Sequence, residues 1–242
     1  AAGPYPASFV NLSDDEKRSE HDRILDRNIA YMHNLVETLK PRMVLPFAGA
    51  YILGGQLSRL NEYLGTTTWD VCANKLNDIG LTSTEAVRLR EHDVLNIESG
   101  KSSPEYEPLS QEHLKQYIQQ ISGDTYPYES DSIPNSGKIV ADLENASNRM
   151  RQRMERAGIS SNRTVTIEVD GKPIQIHPTF STDSDLNATP RMACSLDSRL
   201  LRRILDRTSH WNNAEIGCHV EFNRAPNEYQ PDLHTALQFL HL

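Results

Sequence analysis

The apolar positions in the first part of the chain indicate a helix, a buried strand and a second helix. Ser13 and Glu16 have the spacing of a capping box, and apolar residues then recur every three or four positions until Pro41. The apolar run 43–45 predicts a short buried strand, and leucines at positions 53, 57, 60 and 64 predict a second amphipathic helix. This order of elements is typical of a layered α/β domain.

Weaker patterns continue the first domain as far as residue 121. We expect short helices at 69–76 and 84–91, a strand at 94–97, and a helix that begins after Ser110. Residues 122–137 are polar and are interrupted by Pro and Gly, which favours a linker. The sequence therefore predicts a first domain over 1–121 that is joined to the rest of the chain by 122–137.

The second half, 138–242, has the pattern of an α+β domain. Its first apolar stripe is helical and ends at Gly158. The strand-like segments 164–169 and 173–177 flank Asp170-Gly171, a strong signal for a hairpin. The remaining predicted elements are strands at 191–196 and 216–222 and helices at 200–205 and 233–240.

Composition excludes several classes of protein. The 242 residues include 25 Lys and Arg against 33 Asp and Glu, a net charge of −8 that argues against nucleic-acid binding. No apolar run approaches the roughly 20 residues of a membrane span, and no leader pattern is present, so we expect no membrane partner. Three widely spaced cysteines predict free thiols in a reducing, cytoplasmic compartment. Since the first residue is Ala1, we expect a processed product, a fragment or a chain whose start is missing.

Motifs for metal binding and nucleophilic catalysis are absent from the sequence. None of the nine histidines lies two, three or four residues from another, and no C-x-x-C pair occurs. No nucleophile elbow or phosphate loop is present either. The adjacent Cys218 and His219 are interpreted as structural, and the arginines of 149–156 as a solvated helix face rather than an anion site. We therefore expect no cofactor to be held by this chain alone.

Two segments are candidates for ligand binding. Residues 46–51 follow the first buried strand, where Gly49 would let a ligand approach and Tyr51 would supply a ring or a hydroxyl. The alternative is that Gly49 only permits a tight turn. The second segment, 210–215, combines an indole with side-chain amides that suit sugar or nucleotide contacts, although Asn-Asn is equally good turn chemistry.

These segments resemble one known family. Gly3-Pro4-Tyr5-Pro6, the acidic helix start 12–17 and the run 40–49 (KPRMVLPFAG) resemble the later part of a metallo-β-lactamase-fold domain. The closest resemblance is to the branch that contains CMP-N-acetylneuraminate hydroxylase and related sugar-nucleotide hydroxylases. The tail, with 200–205, 210–217 and 224–226, is similar to the C-terminal extension of those proteins.

The resemblance implies the later half of a metallo-β-lactamase-like αββα domain followed by a smaller α+β domain. The H-x-H-x-D-H motif of the fold, a late metal-binding His near 47–49 and Rieske-type ligand pairs are all missing from this sequence. Zinc or iron would therefore be held by an N-terminal half or a partner chain, and the reaction would be that of a hydrolase or hydroxylase acting on a small, polar, sugar-nucleotide-like substrate. The implied substrate-binding residues are Tyr5, Phe47, Gly49, Tyr51, His210, Trp211 and Asn212.

A second hypothesis comes from a different class of protein. In it the chain is a non-catalytic binding or assembly subunit that completes the fold of a partner chain. The missing late His favours this hypothesis, because a subunit without catalysis needs no metal ligand at 47–49.

Overall fold

A computed structural model describes residues 3–47, 50–159, 161, 164–169, 171–176 and 191–242. The chain forms two compact units. Unit 1 comprises Ala1–Ala7 and Asp14–Asp124, and unit 2 comprises Ser8–Ser13 and Thr125–Leu242. Helices and strands occur in both units, as the sequence predicts. Among the described helices, none is both long enough and apolar enough to cross a membrane.

Unit 1 is mainly helical, and its strands are only two residues long. Thr68 and Ser110 begin α2 and α3 by accepting hydrogen bonds from the backbone N–H groups of Val71 and His113. The elements of unit 1 are α1 (Asp14–Leu39), β1 (Met43–Val44), a 3-10 helix (Gly55–Tyr63), α2 (Trp69–Ile79), β2 (Glu85–Ala86), β3 (Val94–Leu95), β4 (Ser102–Ser103) and α3 (Gln111–Ile121).

The predicted helix at 84–91 is wrong, because this segment pairs with β1. The backbone N–H of Glu85 donates to the carbonyl of Arg42 at 3.0 Å, and that of Val87 donates to Val44 at 2.9 Å. The two strands are parallel, and β3 and β4 form a separate antiparallel pair. Long-range ladder bonds thus override the local helical pattern. A small core lies between α1, α2 and β2 and contains Ile29, Cys72, Ala73, Leu76 and Ala86.

Unit 2 is built around a four-stranded sheet in the order β6-β5-β7-β8. Strands β5 and β7 are parallel, and the other neighbours are antiparallel. The predicted hairpin is confirmed as β5 and β6, with Gly171 in the left-handed region at φ 73°. The elements are a 3-10 helix (Pro127–Ser130), α4 (Ser136–Ala157), β5 (Thr164–Val169), β6 (Lys172–Ile176), β7 (Arg191–Ser195), α5 (Ser198–Leu205), α6 (Trp211–Ile216), β8 (Glu221–Ala225) and α7 (Pro231–Leu237).

Helix α4 confirms the helix that the first apolar stripe of residues 138–242 predicts. Its residues at 139, 143, 146, 150 and 154 are all buried, and Gly158 ends the helix at φ 65°. The first 3-10 helix of unit 2 lies inside the segment predicted as a linker, and it buries Tyr128. Residues 122–137 are therefore partly ordered secondary structure that contributes to the second unit.

The N-terminal segment Ser8–Ser13 belongs to unit 2 and extends its sheet beside β8. The N–H of Val10 donates to the carbonyl of Phe222, and the N–H of Phe222 donates to the carbonyl of Ser8, both at 2.9 Å. The rings of Phe9 and Phe222 stack with their centroids 5.2 Å apart. The sheet of unit 2 thus joins residues from both ends of the chain.

The predicted strand at 216–222 is wrong over its first half. Residues 211–216 form α6, and the chain then turns at Cys218, whose φ is 57°. Strand β8 begins only at Glu221. The apparent alternation came from a helix end, a turn and a strand start that follow one another closely.

Candidate functional site

The sequence-predicted site residues of unit 1 lie in different surroundings. The hydroxyl of Tyr5 donates to Glu20 Oε2 at 2.9 Å. Arg23 also bonds this carboxylate, and that hydrogen bond is the main reason why the pKa of Glu20 lies below its ordinary value. Tyr51 is half-buried, and Gly49 lies outside the described residues. Tyr5 is therefore tied to α1 by a contact that fixes the N-terminal loop.

Phe47 lines a pocket that is mostly apolar. The cavity has a volume of about 290 Å³ and is formed by α1, the segment after β1 and the start of α2. The Phe47 ring is 80% exposed, and Tyr31 on α1 is 71% exposed. The lining residues are Leu25, Asn28, Ile29, Tyr31, Met32, Leu35, Pro46, Phe47, Ala50, Gly65, Thr66, Thr67, Trp69 and Cys72. Neither Tyr5 nor Tyr51 is among them.

An exposed apolar face continues from this pocket along α1. Tyr31, Leu35 and Leu39 lie four residues apart, so they share one side of the helix, and all three are exposed. Apolar side chains that lie together on a surface mark interaction sites more often than single ones do. We call Tyr31, Leu35, Leu39 and Phe47 the α1 face.

Strand β1 has an unpaired edge. Arg42 and Val44 accept hydrogen bonds from β2, so the backbone groups of Met43, between them, point to the opposite side. Within the part of the chain that the structure describes, β1 pairs with β2 alone. Such an edge is a template for another strand.

Unit 2 contains a second pocket, of about 280 Å³, that combines aromatic and polar side chains. We call it the His210 pocket. The 3-10 helix Pro127–Ser130, the end of α5, the following loop and the N-terminal part of α6 form its walls. Its lining residues are Tyr126, Pro127, Tyr128, Leu200, Arg203, Thr208, Ser209, His210, Asn213, Ala214 and His219.

One wall of the His210 pocket is an aromatic cluster. The rings of Tyr126 and Tyr128 stack with centroids 5.6 Å apart, and His219 lies edge-on to Tyr126 at 4.5 Å. The Tyr128 hydroxyl lies 3.1 Å from His219 Nδ1, which is hydrogen-bond distance. Burial raises the pKa of Tyr128 and lowers that of His219. Both groups are therefore neutral near pH 7.

Arg203, another lining residue of the His210 pocket, forms an ion pair. Arg203 holds Asp131 through Nε at 2.5 Å and Nη2 at 2.8 Å, and it also donates to the Pro127 carbonyl. This bidentate hydrogen bond is the main cause that lowers the pKa of Asp131. The positive charge of Arg203 is thus paired with the negative charge of Asp131, and both side chains are partly exposed. Arg203 and Asp131 together add polar groups but no net charge beside the pocket.

Trp211 and Asn212 do not line the His210 pocket. The Trp211 ring is 2% exposed, and its Nε1–H donates to Glu215 Oε2 at 3.1 Å. The other carboxylate oxygen of Glu215 accepts a hydrogen bond from Nδ1 of His234 on α7. These contacts place the indole in the core, where it joins α6 to α7. Asn212 points away to solvent on the exposed side of α6.

Of the three residues predicted at 210–212, the pocket thus includes only His210. Sequence reasoning missed Tyr126 and Tyr128, included Asn213 only as part of the candidate segment 210–215, and interpreted His219 as structural. The Tyr-Pro-Tyr run at 126–128 was the available signal, since paired aromatics are unusual in a true linker.

The described residues contain no group of three or more His, Cys, Asp or Glu side chains that could hold a metal ion. All three cysteines are buried free thiols. Comparison with protein-family models, with curated proteins and with solved structures finds no match to this chain.

Proposed function

We propose that this chain is the C-terminal part of a metallo-β-lactamase-like, metal-dependent hydrolase or hydroxylase. Its substrate is a small polar molecule of the sugar-nucleotide type, and the chain is inactive alone. A further polypeptide, an N-terminal half or a partner chain, completes unit 1 and supplies the metal ligands. The buried free thiols are consistent with a cytoplasmic location for this assembly.

The observation that carries the proposal is the unpaired edge of β1 beside the α1 face. The parallel pair of β1 and β2 is only two residues long and packs against α1 and α2, so a further strand would add backbone hydrogen bonds to the free side of β1. The exposed rings of Tyr31 and Phe47 line one pocket of the same unit, and Phe47 follows β1 by three residues. The occupant that fits is therefore a β-strand with an apolar flank, added to β1 by backbone hydrogen bonds.

The described residues do not fit a zinc or iron centre, because they contain no suitable group of ligands. We therefore derive no reaction step through a metal in this chain. In the proposal, residues of this chain only complete the fold and contact the substrate. The apolar pocket beside Phe47 lies in the same unit as β1.

The second candidate is a non-catalytic assembly subunit. It uses the same edge and the same α1 face, but its complex performs no reaction. It is favoured by the apolar character of Pro46 and Phe47, at the segment where the resemblance would place a metal-binding His.

The test is purification of the tagged chain from its native source, followed by native mass spectrometry and metal analysis. We expect a companion polypeptide at a fixed stoichiometry together with zinc or iron. Leu35→Asp combined with Phe47→Asp places two charges on the α1 face and should remove the companion. Val94→Asp is the matched control, because Val94 is also apolar and exposed in unit 1 but lies outside the pocket.

A monodisperse chain that unfolds cooperatively without any companion would refute the proposal, as would a companion that survives the double substitution. Turnover of nucleotide sugars by the purified complex separates the two candidates. A stable complex that contains metal and turns over substrate supports the enzyme. A stable complex without either property supports the assembly subunit.

A further inference from the structure

The His210 pocket lies entirely in unit 2 and takes no part in completing unit 1. Three of its polar side chains, Ser209, His210 and Asn213, make no hydrogen bond to any other side chain or backbone group that the structure describes. They are therefore available to a ligand. Aromatic walls with a few free polar groups are the usual composition of small-molecule sites.

The charges around this pocket favour an uncharged ligand. Arg203 is paired with Asp131 by two hydrogen bonds through Nε and Nη2, which reduces the charge that it offers to a phosphate or carboxylate. The Tyr128 hydroxyl and the His219 ring are bonded to each other and are buried in their neutral forms. An anion that entered would lose part of its hydration and would compete with Asp131 for the guanidinium of Arg203.

The volume of the pocket and the arrangement of its aromatic rings indicate more closely which class of ligand fits. Ligand pockets commonly measure about 300–1,000 Å³, so a cavity of about 280 Å³ suits a single ring with its substituents rather than a dinucleotide. Tyr126 and Tyr128 already stack on one another, which leaves no slot between them for a nucleobase. The aromatic wall can instead contact the C–H face of a saturated ring, while the amide, imidazole and hydroxyl groups meet hydroxyls at its edge.

We propose that the His210 pocket binds an uncharged pyranose sugar, with Asn213, His210 and Ser209 as hydrogen-bonding partners and the Tyr126–Tyr128–His219 cluster as the apolar wall. This site is a property of unit 2. It goes beyond the proposed function, because it requires neither a metal nor the companion polypeptide.

The test is a titration of the full-length, ¹⁵N-labelled chain with methyl glucopyranoside, methyl galactopyranoside and N-acetylglucosamine, followed by NMR. The phosphate ester of glucose and uridine serve as charged and nucleobase comparators. We expect at least one neutral pyranoside to cause saturable shifts of the Ser209, His210 and Asn213 amides, and the comparators to bind more weakly.

Asn213→Ala tests the contact directly, and Asn212→Ala is the matched control, since Asn212 is exposed on the same helix but does not line the pocket. Loss of one hydrogen bond should raise the dissociation constant about tenfold in Asn213→Ala. Asn212→Ala should leave it unchanged. Ser209→Ala provides a second variant if thermal melting shows that Asn213→Ala is poorly folded.

The proposal is overturned if none of the three pyranosides shifts these amides, if uridine or the phosphate ester binds as tightly as the best pyranoside, or if the two asparagine variants weaken binding equally. The titration and the companion-chain experiment are independent. Either one can fail while the other succeeds.

Discussion

Replacing Phe9 by Ala should strongly destabilise unit 2, although Phe9 lies near the start of the chain. The ring is 1% exposed and stacks on Phe222 of β8. The guanidinium of Arg224 also lies over the Phe9 ring, 4.7 Å from its centroid. The substitution removes both contacts and leaves a cavity beside the sheet.

The expected loss in free energy of unfolding follows from the complete burial of the Phe9 side chain. Replacement of a buried Phe by Ala usually costs about 3–5 kcal/mol, because the lost transfer energy adds to that of the cavity. Loss of the cation–π contact with Arg224 accounts for about 0.5–1 kcal/mol of this. With a urea dependence of about 2 kcal/mol per molar, the midpoint of unfolding should fall by about 2 M.

The assay is urea unfolding followed by tryptophan fluorescence. The chain has two tryptophans, Trp69 in unit 1 and Trp211 in unit 2. A Trp69→Phe background leaves Trp211 as the reporter of unit 2, and a Trp211→Phe background reports unit 1. We expect Phe9→Ala to lower the Trp211 transition much more than the Trp69 transition.

Val10→Ala is the matched control, because Val10 is the next residue and is 54% exposed. It should change the free energy of unfolding by less than about 0.5 kcal/mol. An unchanged Trp211 transition in Phe9→Ala would refute the role of Ser8–Ser13 in the sheet of unit 2. So would an equal loss in Val10→Ala.

Three further predictions concern buried groups of unit 2. Burial holds the pKa of His219 below its ordinary value, so the unfolded chain binds a proton at a higher pH than the folded chain. The free energy of unfolding should therefore decrease as the pH falls below about 6.5. Urea unfolding at several pH values should show that this free energy decreases less in His219→Gln than in the unsubstituted chain. Burial raises the pKa of Cys218 to about 12 and that of Cys194 well above its ordinary value, so an alkylating reagent at pH 8 should label these thiols only as fast as the unit opens, and rapid labelling of the folded protein would contradict their burial. A Cβ at Gly217 would lie 2.8 Å from Cδ2 of His219, so Gly217→Ala should displace this ring; an unchanged His219 spectrum in NMR would show that the contact is not tight.

The sequence predicts best the elements that depend on local pattern. Helix α4 follows directly from its apolar spacing and its terminal Gly158, and the β5–β6 hairpin follows from Asp170-Gly171. Strand β2 could not be predicted in the same way. It consists of two residues whose strand conformation depends on hydrogen bonds to β1, more than 40 positions earlier in the sequence.

The candidate site was predictable only in part, for a similar reason. His210 belongs to a segment whose composition already indicated ligand contacts. The aromatic wall combines Tyr128 with His219, which are 91 residues apart, and no local pattern connects them. Trp211 shows the opposite case. Its neighbours suggested a ligand-facing ring, but its indole N–H has a buried carboxylate partner four residues later.

The pairing of residues 8–13 with β8 has a consequence for synthesis on the ribosome. The side-chain amide of Asn11 bonds the carbonyl of Arg224, which is 213 residues further along the chain. At about 5–20 residues per second, residues 8–13 wait about 10–40 s for residues 221–225 to be synthesised. During that interval Phe9 has no place to pack, so the growing chain exposes an aromatic side chain that chaperones can bind. Ribosome-bound chains stalled before and after residues 221–225 have left the exit tunnel should therefore differ in the protease sensitivity of residues 8–13.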